Sequence, residues 1–253
     1  MNASRFISAA VLVTALAVGW KGESARAEQS RQTTPVPILM YHVIADPPAG
    51  APYPQLYVSK SEFAGQMRWL ERHGYHAVTQ RAVWDHWHRG RPLPARPIVI
   101  SFDDGYREVA DSALPIMQAH GWPGVLNLTV KNLRVSGGLT RFDVHTLLAA
   151  QWELASHTLT HPDLTGLDDQ ALRREVGQSR SVLRARFGVP VDFFCYPAGR
   201  YDARVIRAVG RAGYLGATTT LEGLARPGEA YELRRIRMSR NHGIAALERT
   251  LSA

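Results

Sequence analysis

Ser101-Phe102-Asp103-Asp104-Gly105 sets two adjacent carboxylates at the end of an apolar run, with a glycine behind them that lets the backbone turn away at once. Alone, such a segment reads as a turn or a helix cap. About 50 residues on, a second apolar run ends in His157-Thr158-Leu159-Thr160-His161. On a helical turn, histidines at i and i+4 face the same way, which is metal-ligand spacing. Two histidines and one carboxylate at the same rim give the facial arrangement that divalent metals use, with open positions for water. Adjacent residues at a strand end point apart, so one carboxylate can hold a metal while its neighbour addresses the water. A third segment, Phe194-Cys195-Tyr196-Pro197-Ala198-Gly199, offers the Ala198 N–H beside a permissive glycine, a donor suited to an oxyanion.

These segments need a scaffold that brings strand ends together. Short apolar, β-branched runs bounded by turn residues occur at Pro37 to Tyr41, His76 to Thr79, Pro97 to Phe102, Gly124 to Val130, Trp152 to Ser156, Asp192 to Tyr196, Tyr214 to Thr218 and Arg234 to Met238. Helical stretches lie between them. Ser59 and Glu62 read as a capping box, Phe63, Met67 and Leu70 share a face, and Gly74 sits at the end. Asp168 to Phe187, stopped by Gly188, and Asp202 to Ala212, stopped by Gly213, repeat the pattern. Strands alternating with helices imply parallel right-handed crossovers, and about eight such units predict an α/β fold of the (β/α) barrel type. The Pro-, Gly- and Ala-rich stretch from Ala45 to Tyr57 reads as an excursion near the rim.

Of 253 residues, 45% are apolar and 21% charged, which excludes a disordered or low-complexity chain. The net charge of +8 is carried by arginine, since Lys21, Lys60 and Lys131 are the only lysines. Before Arg234 no basic run exceeds two adjacent arginines, so the charge reads as solvated surface and not as a nucleic-acid interface. Cys195 is the single cysteine and can form no internal disulfide. Arg5, the apolar stretch Phe6 to Trp20 and Ala25-Arg26-Ala27 together predict an export signal over residues 1–27, either cleaved before Glu28 or kept as an anchor. Residues 28–253 then form one domain, periplasmic or secreted, with no stable transmembrane segment after cleavage.

The motifs resemble those of the polysaccharide deacetylases, carbohydrate esterase family 4 with its NodB-homology domain. SFDDG is similar to the family's first motif and HTLTHPDL to its second, and the resemblance runs from ILMYH through FFCYPAGRYD to the final LRRIRM. It implies a distorted (β/α) barrel and a metal-dependent hydrolase of acetyl groups on a polysaccharide. By this resemblance Asp104, His157 and His161 match the metal ligands, Asp103 the catalytic base, and Ala198 the oxyanion donor. The implied cofactor is Zn²⁺, with Co²⁺ as the alternative.

Two departures stand out. Cys195 occupies the place where many members carry an arginine against the catalytic aspartate, which leaves Arg235 to hold Asp103 or to form a structural ion pair. The family's late Leu-x-x-His acid is also missing, which leaves His42 and His242 as candidates for the general acid. His42 is preferred because Met40-Tyr41-His42 ends the first strand and so reaches the same rim. The opening Tyr-His resembles the branch that acts on exported poly-N-acetylglucosamine. Tyr196, Arg235 and His242 are expected to support the site or bind substrate. An inert glycan binder, a non-haem iron oxygenase and a nucleic-acid binder are the rival classes. All four Asp and His positions are present against the first, Asp103 is unexplained by the second, and the third accounts for charge alone.

Overall fold

The computed structural model describes residues 33–240 and 242–252. The expected export signal over 1–27 lies outside them. Among the described residues no helix is long and apolar enough to cross a membrane.

Strand β1 (Ile38–Tyr41) runs into β2 (Val43–Ile44), which pairs in parallel with β3 (Tyr57–Val58). This small sheet pins both ends of the Pro-rich excursion, so that Tyr53, Gln55 and Leu56 become a wall of the pocket described below. Helix α1 (Lys60–Arg72) begins at Ser59, whose Oγ accepts from the Glu62 N–H at 3.1 Å. The reciprocal half of the expected capping box is absent, because the Glu62 carboxylate instead accepts from Gln66 Nε2 at 3.4 Å. After β4 (His76–Ala77) come α2 (Gln80–Arg89), β5 (Pro97–Asp104), α3 (Leu114–Ala119), β6 (Val125–Leu128), α4 (Arg141–Ala149) and β7 (Glu153–Ser156). Helix α5 (Asp169–Arg173) continues through a π turn, Arg174–Gln178, into α6 (Ser179–Phe187). Then follow β8 (Phe193–Cys195), α7 (Ala203–Arg211), β9 (Gly216–Glu222), β10 (Leu233–Arg237) and α8 (Ile244–Ser252). Sequence periodicity does not reveal α4, and the structure gives the reason. Val144 and Leu147 are buried while Phe142 is 77% exposed, so its apolar side chains do not share a face.

Seven parallel strands close a ring in the order β1-β10-β9-β8-β7-β6-β5 and back to β1. The fold is a distorted (β/α) barrel. The eighth expected strand forms, but outside the ring: β4 pairs only with the start of β5, His76 opposite Pro97 and Ala77 opposite Ile98. From Val99 onward β5 pairs with β1 instead, Ile38 opposite Val99 and Tyr41 opposite Phe102. An eight-residue β5 thus serves three neighbours, and the two-residue β4 is too short to replace β1 in the ring.

The two-residue period of β5 sorts its side chains. Ile98, Ile100 and Phe102 pack with the helical residues Phe63, Met67 and Leu70, outside the ring. Val99 joins Ile38, Val125, Ala155, Phe193 and Leu233 in a second apolar cluster inside it. Ser101 and Asp103 continue the inward row above that plug, which is why a carboxylate ends up buried in a barrel interior.

Glu153 opens β7 at the opposite, N-terminal end of the barrel and accepts a hydrogen bond from the Arg81 N–H at 3.0 Å. Burial pushes its carboxyl up to about 7, against that N–H. The unfolded chain ionises it near 4.5, so the folded state binds more protons than the unfolded one between those values and loses stability as pH rises across them. Glu153→Gln should therefore melt above the wild type at pH 8 and together with it at pH 4. A calorimetric scan in which the variant melts lower at pH 8 would contradict this account.

Candidate active site and metal centre

Arg235 on β10 is fully buried and is the largest such side chain among the described residues. All five of its N–H groups have partners. Nε donates to Thr219 O at 2.8 Å, Nη1 to Asp103 Oδ1 at 2.8 Å and Ser101 Oγ at 3.3 Å, and Nη2 to Asp103 Oδ2 at 2.8 Å and Cys195 Sγ at 3.3 Å. The planar guanidinium thus grips Asp103 with both arms. Asn127 on β6 adds a hydrogen bond to Oδ1 at 2.7 Å, a contact that sequence reasoning missed. Burial alone raises the Asp103 carboxyl, but Arg235 overrides it and holds the group well below the usual carboxylate range. Asp103 is a fixed carboxylate at neutral pH.

Asp104 ends the same strand with a left-handed backbone, φ 72°, which swings its side chain away from that of Asp103. Its carbonyl accepts from Asn132 Nδ2 at 2.9 Å. Gly105 follows at φ 93°, and any side chain there would strike Leu128. The expected helical turn between His157 and His161 does not form. Instead Thr158 (φ 71°) and His161 (φ 64°) both adopt left-handed conformations in an irregular loop. Glu175, in the π turn, explains how this loop holds its shape. It accepts from the Leu159 and Thr160 N–H groups at 2.9 Å each and from Thr160 Oγ1 at 2.8 Å. The two histidines still converge, through a loop that helical spacing could not have described.

His157 Nδ1 lies 2.7 Å from Cys195 O, which makes Nδ1 the protonated nitrogen and leaves the Nε2 lone pair facing the pocket. Nε2 of His157 and Nε2 of His161 each stand 3.5 Å from Asp104 Oδ1. That is too long for a hydrogen bond. It matches the roughly 3.4 Å expected between donors set about 2.1 Å from a common tetrahedral ion. Asp103, His157 and Cys195 form a second close triple. An ion there would sit against the guanidinium that already occupies both Asp103 oxygens, so Asp104, His157 and His161 are the set whose geometry fits a divalent cation.

The remaining expected residues separate cleanly. His42 lines the pocket, with Nε2 at 3.8 Å from Asp103 Oδ2, and burial holds its ring below the usual imidazole range against the pull of that carboxylate. His242 does not line it. Its carbonyl accepts from Gln66 Nε2 and its Nδ1 from the Ser239 N–H, beside α1. Ala198 lines the pocket at φ 51°, and Gly199 behind it packs so closely on Thr220 that no Cβ fits. Tyr196 contributes to the lining and anchors its hydroxyl on Tyr231 O at 3.0 Å. Tyr106, not foreseen from the sequence, is pushed up to about 12 by burial and by Asp104, and so remains a neutral O–H. The cavity enclosed is about 660 Å³, room for a sugar unit and its substituents.

Comparison with known proteins gives these contacts a context. The polysaccharide deacetylase family model matches residues 90–217. YxkH of Bacillus subtilis, a protein named as a candidate polysaccharide deacetylase, is 28% identical over 205 residues, 81% of this chain and 71% of its own. A poly-beta-1,6-N-acetyl-D-glucosamine N-deacetylase of Escherichia coli is 32% identical over 103 residues, 41% of this chain and 15% of that protein. The solved structure of the Streptococcus pyogenes deacetylase PplD in complex with acetate has the same fold, with a TM-score of 0.81 at 23% identity over 87% of this chain and 99% of that one.

The buried pair makes a measurable demand on stability. Arg235→Leu strands Asp103 without its partner and should cost about 3–5 kcal/mol in urea denaturation. Replacing Asp103 and Arg235 together by leucine should recover most of that loss. A single variant as stable as the wild type, or a double variant no better than the single, would show that the pair is not the buried charge described here.

Proposed function

The chain belongs to the polysaccharide deacetylase family, and from that premise we propose that it removes acetyl groups, N-acetyl in the first place, from a cell-envelope or extracellular polysaccharide and releases acetate. The carrying observation is the convergence of Asp104, His157 and His161 beside a second aspartate that is held ionised and kept apart from them. An oxygenase has no use for that second carboxylate. The Escherichia coli relative, named for an N-acetylated glucosamine polymer, supports an acetamide as the target. The signal read over residues 1–27 supports export to the periplasm or the medium, where such polymers lie.

A divalent cation held by Asp104 and the two histidine Nε2 atoms, Zn²⁺ or Co²⁺, would polarise the acetyl carbonyl and acidify a water molecule. Asp103 takes the proton of the attacking water. Arg235 and Asn127 fix the carboxylate in place and lower its proton affinity, so Asp103 holds the proton only in passing. The Ala198 N–H donates to the oxygen that gains charge in the tetrahedral state. His42, whose Nε2 lies 3.8 Å from Asp103 Oδ2, stands next to the collected proton and delivers it to the departing amine.

Acetate release from poly-N-acetylglucosamine, peptidoglycan, chitin oligomers and acetylated xylan should stop on chelation and return with Zn²⁺ or Co²⁺. Full activity after verified metal removal would refute the assignment. Asp103→Asn should keep the metal and lose roughly 10²-fold or more in rate, whereas Asp104→Asn should lose the metal itself. Equal metal loss in the two variants would mean that their roles are not divided in this way. His42→Ala should slow an acetamide far more than an activated aryl acetate, whose leaving group needs little protonation. Equal slowing of both would make His42 a positioning residue.

A further inference from the structure

The charged side chains of the pocket divide by height. At its floor Asp103 is paired with Arg235, and Asp104 faces the histidine nitrogens. At its mouth stand Lys131, Arg200 and Arg237, and no other Asp or Glu among the described residues lines the cavity. Arg200 has an ion-pair partner, Asp163 at 2.7 Å, but the two side chains are 65% and 38% exposed, so the pair is well screened. Neither Lys131 nor Arg237 makes an ion pair among the described residues. Arg237 stands two residues beyond Arg235 on β10, in the same inward row, and therefore directly over the reaction centre. Lys131 is held by its backbone N–H on Leu159 O at 2.9 Å, in the loop system that carries the histidines.

A neutral glycan does not require these cations, because Tyr53, Gln55 and Asn132, which also line the cavity, offer uncharged partners for its hydroxyls. Asp163 answers Arg200, and the Glu222 carboxylate accepts from the Arg237 backbone N–H at 3.3 Å and forms no ion pair with its guanidinium. The side chains of Lys131 and Arg237 therefore keep positive charge at the mouth that attracts a fixed negative charge brought to it. On the reading of the chain as a glycan deacetylase, we infer that its substrate is an anionic N-acetylated glycan, with a carboxylate or phosphate on a sugar beside the one that loses its acetyl group, held by Arg237 and Lys131. The same cations repel the ammonium that each turnover leaves, so sugars next to a deacetylated one are poor substrates.

The test compares hexasaccharides of equal length: hyaluronan hexasaccharide, in which N-acetylglucosamine alternates with a uronate, neutral chitohexaose, and chitohexaose phosphorylated at O6. Acetate release should show kcat/KM for at least one anionic oligomer roughly 10-fold or more above the neutral one at low ionic strength. The preference should shrink as salt rises. Whichever anionic oligomer is preferred identifies the anion. Arg237→Gln should reduce the anionic-to-neutral ratio roughly 10-fold, while Arg211→Gln, at an exposed position in the last turn of α7 that does not line the pocket, should not change it. Calorimetric titration of the same oligomers gives a second readout. Tighter binding of an anionic oligomer with no acetate from any of the three would keep the charge inference and sink the deacetylase reading. Equal or better kcat/KM and binding for chitohexaose, or an equal effect of Arg211→Gln on the ratio, would overturn the charge inference and leave the deacetylase reading standing.

Discussion

A carboxylate and a guanidinium that water does not reach govern the centre of this barrel. Burying two charges costs several kcal/mol each after relaxation, and attraction offsets that cost only where the geometry is close and the remaining donors are satisfied. Arg235 meets both conditions, with five N–H groups and five acceptors. Those acceptors belong to β5, β8 and β9, so one side chain from β10 links strands around the ring. Ser101 extends the network by donating to Leu39 O on β1 at 2.7 Å. The pair thus joins strands that are not neighbours, and the same contacts hold a catalytic-type aspartate ionised in a fixed position.

Above this rigid layer the backbone is forced. Among the described residues six that are not glycine have positive φ, and Asp104, Thr158, His161 and Ala198 are four of them. Such conformations persist only where the surroundings over-determine them, and they concentrate at functional sites. The surroundings here are specific: Asn132 on the Asp104 carbonyl, Glu175 on the histidine loop, and Gly199 pressed against Thr220. Below the layer, Ile38, Val99, Val125, Phe193 and Leu233 close the barrel with an apolar plug. That plug separates the pocket from Glu153 at the far end, so the two unusual carboxylates of this barrel do not share an environment.

Cys195, where the resemblance leads one to expect an arginine, is accommodated by the same geometry. Cys195 is fully buried, places its sulfur 3.3 Å from Arg235 Nη2, and offers its carbonyl to His157 Nδ1 at 2.7 Å. A small side chain on β8 leaves room for a long one to arrive from β10. The guanidinium is supplied from β10, and it grips the carboxylate of β5 from within the barrel.

Much of the framework was legible in the sequence, because strand and helix periods are local properties and chemical residue types are visible one at a time. The alternation that predicted a (β/α) barrel depends on spacings of two and three to four residues, and all eight expected strands exist. That one of them stands outside a seven-stranded ring was not legible, since closure depends on which neighbour β5 accepts along its length. The i, i+4 spacing of His157 and His161 pointed to convergence for the wrong local reason: a loop, shaped by Glu175, does what a helical turn was expected to do. Asp103 and Arg235 lie 132 positions apart. The resemblance, by leaving Asp103 without its expected partner, pointed to Arg235 while leaving a structural ion pair open, and no local pattern by itself distinguishes an arginine that enters the barrel from the many that remain on the surface. By itself the sequence determined the scaffold type and the residues able to do chemistry. Tertiary structure decided which of them meet, because their meeting follows from strand order, parity and the burial cost that only a closed ring imposes.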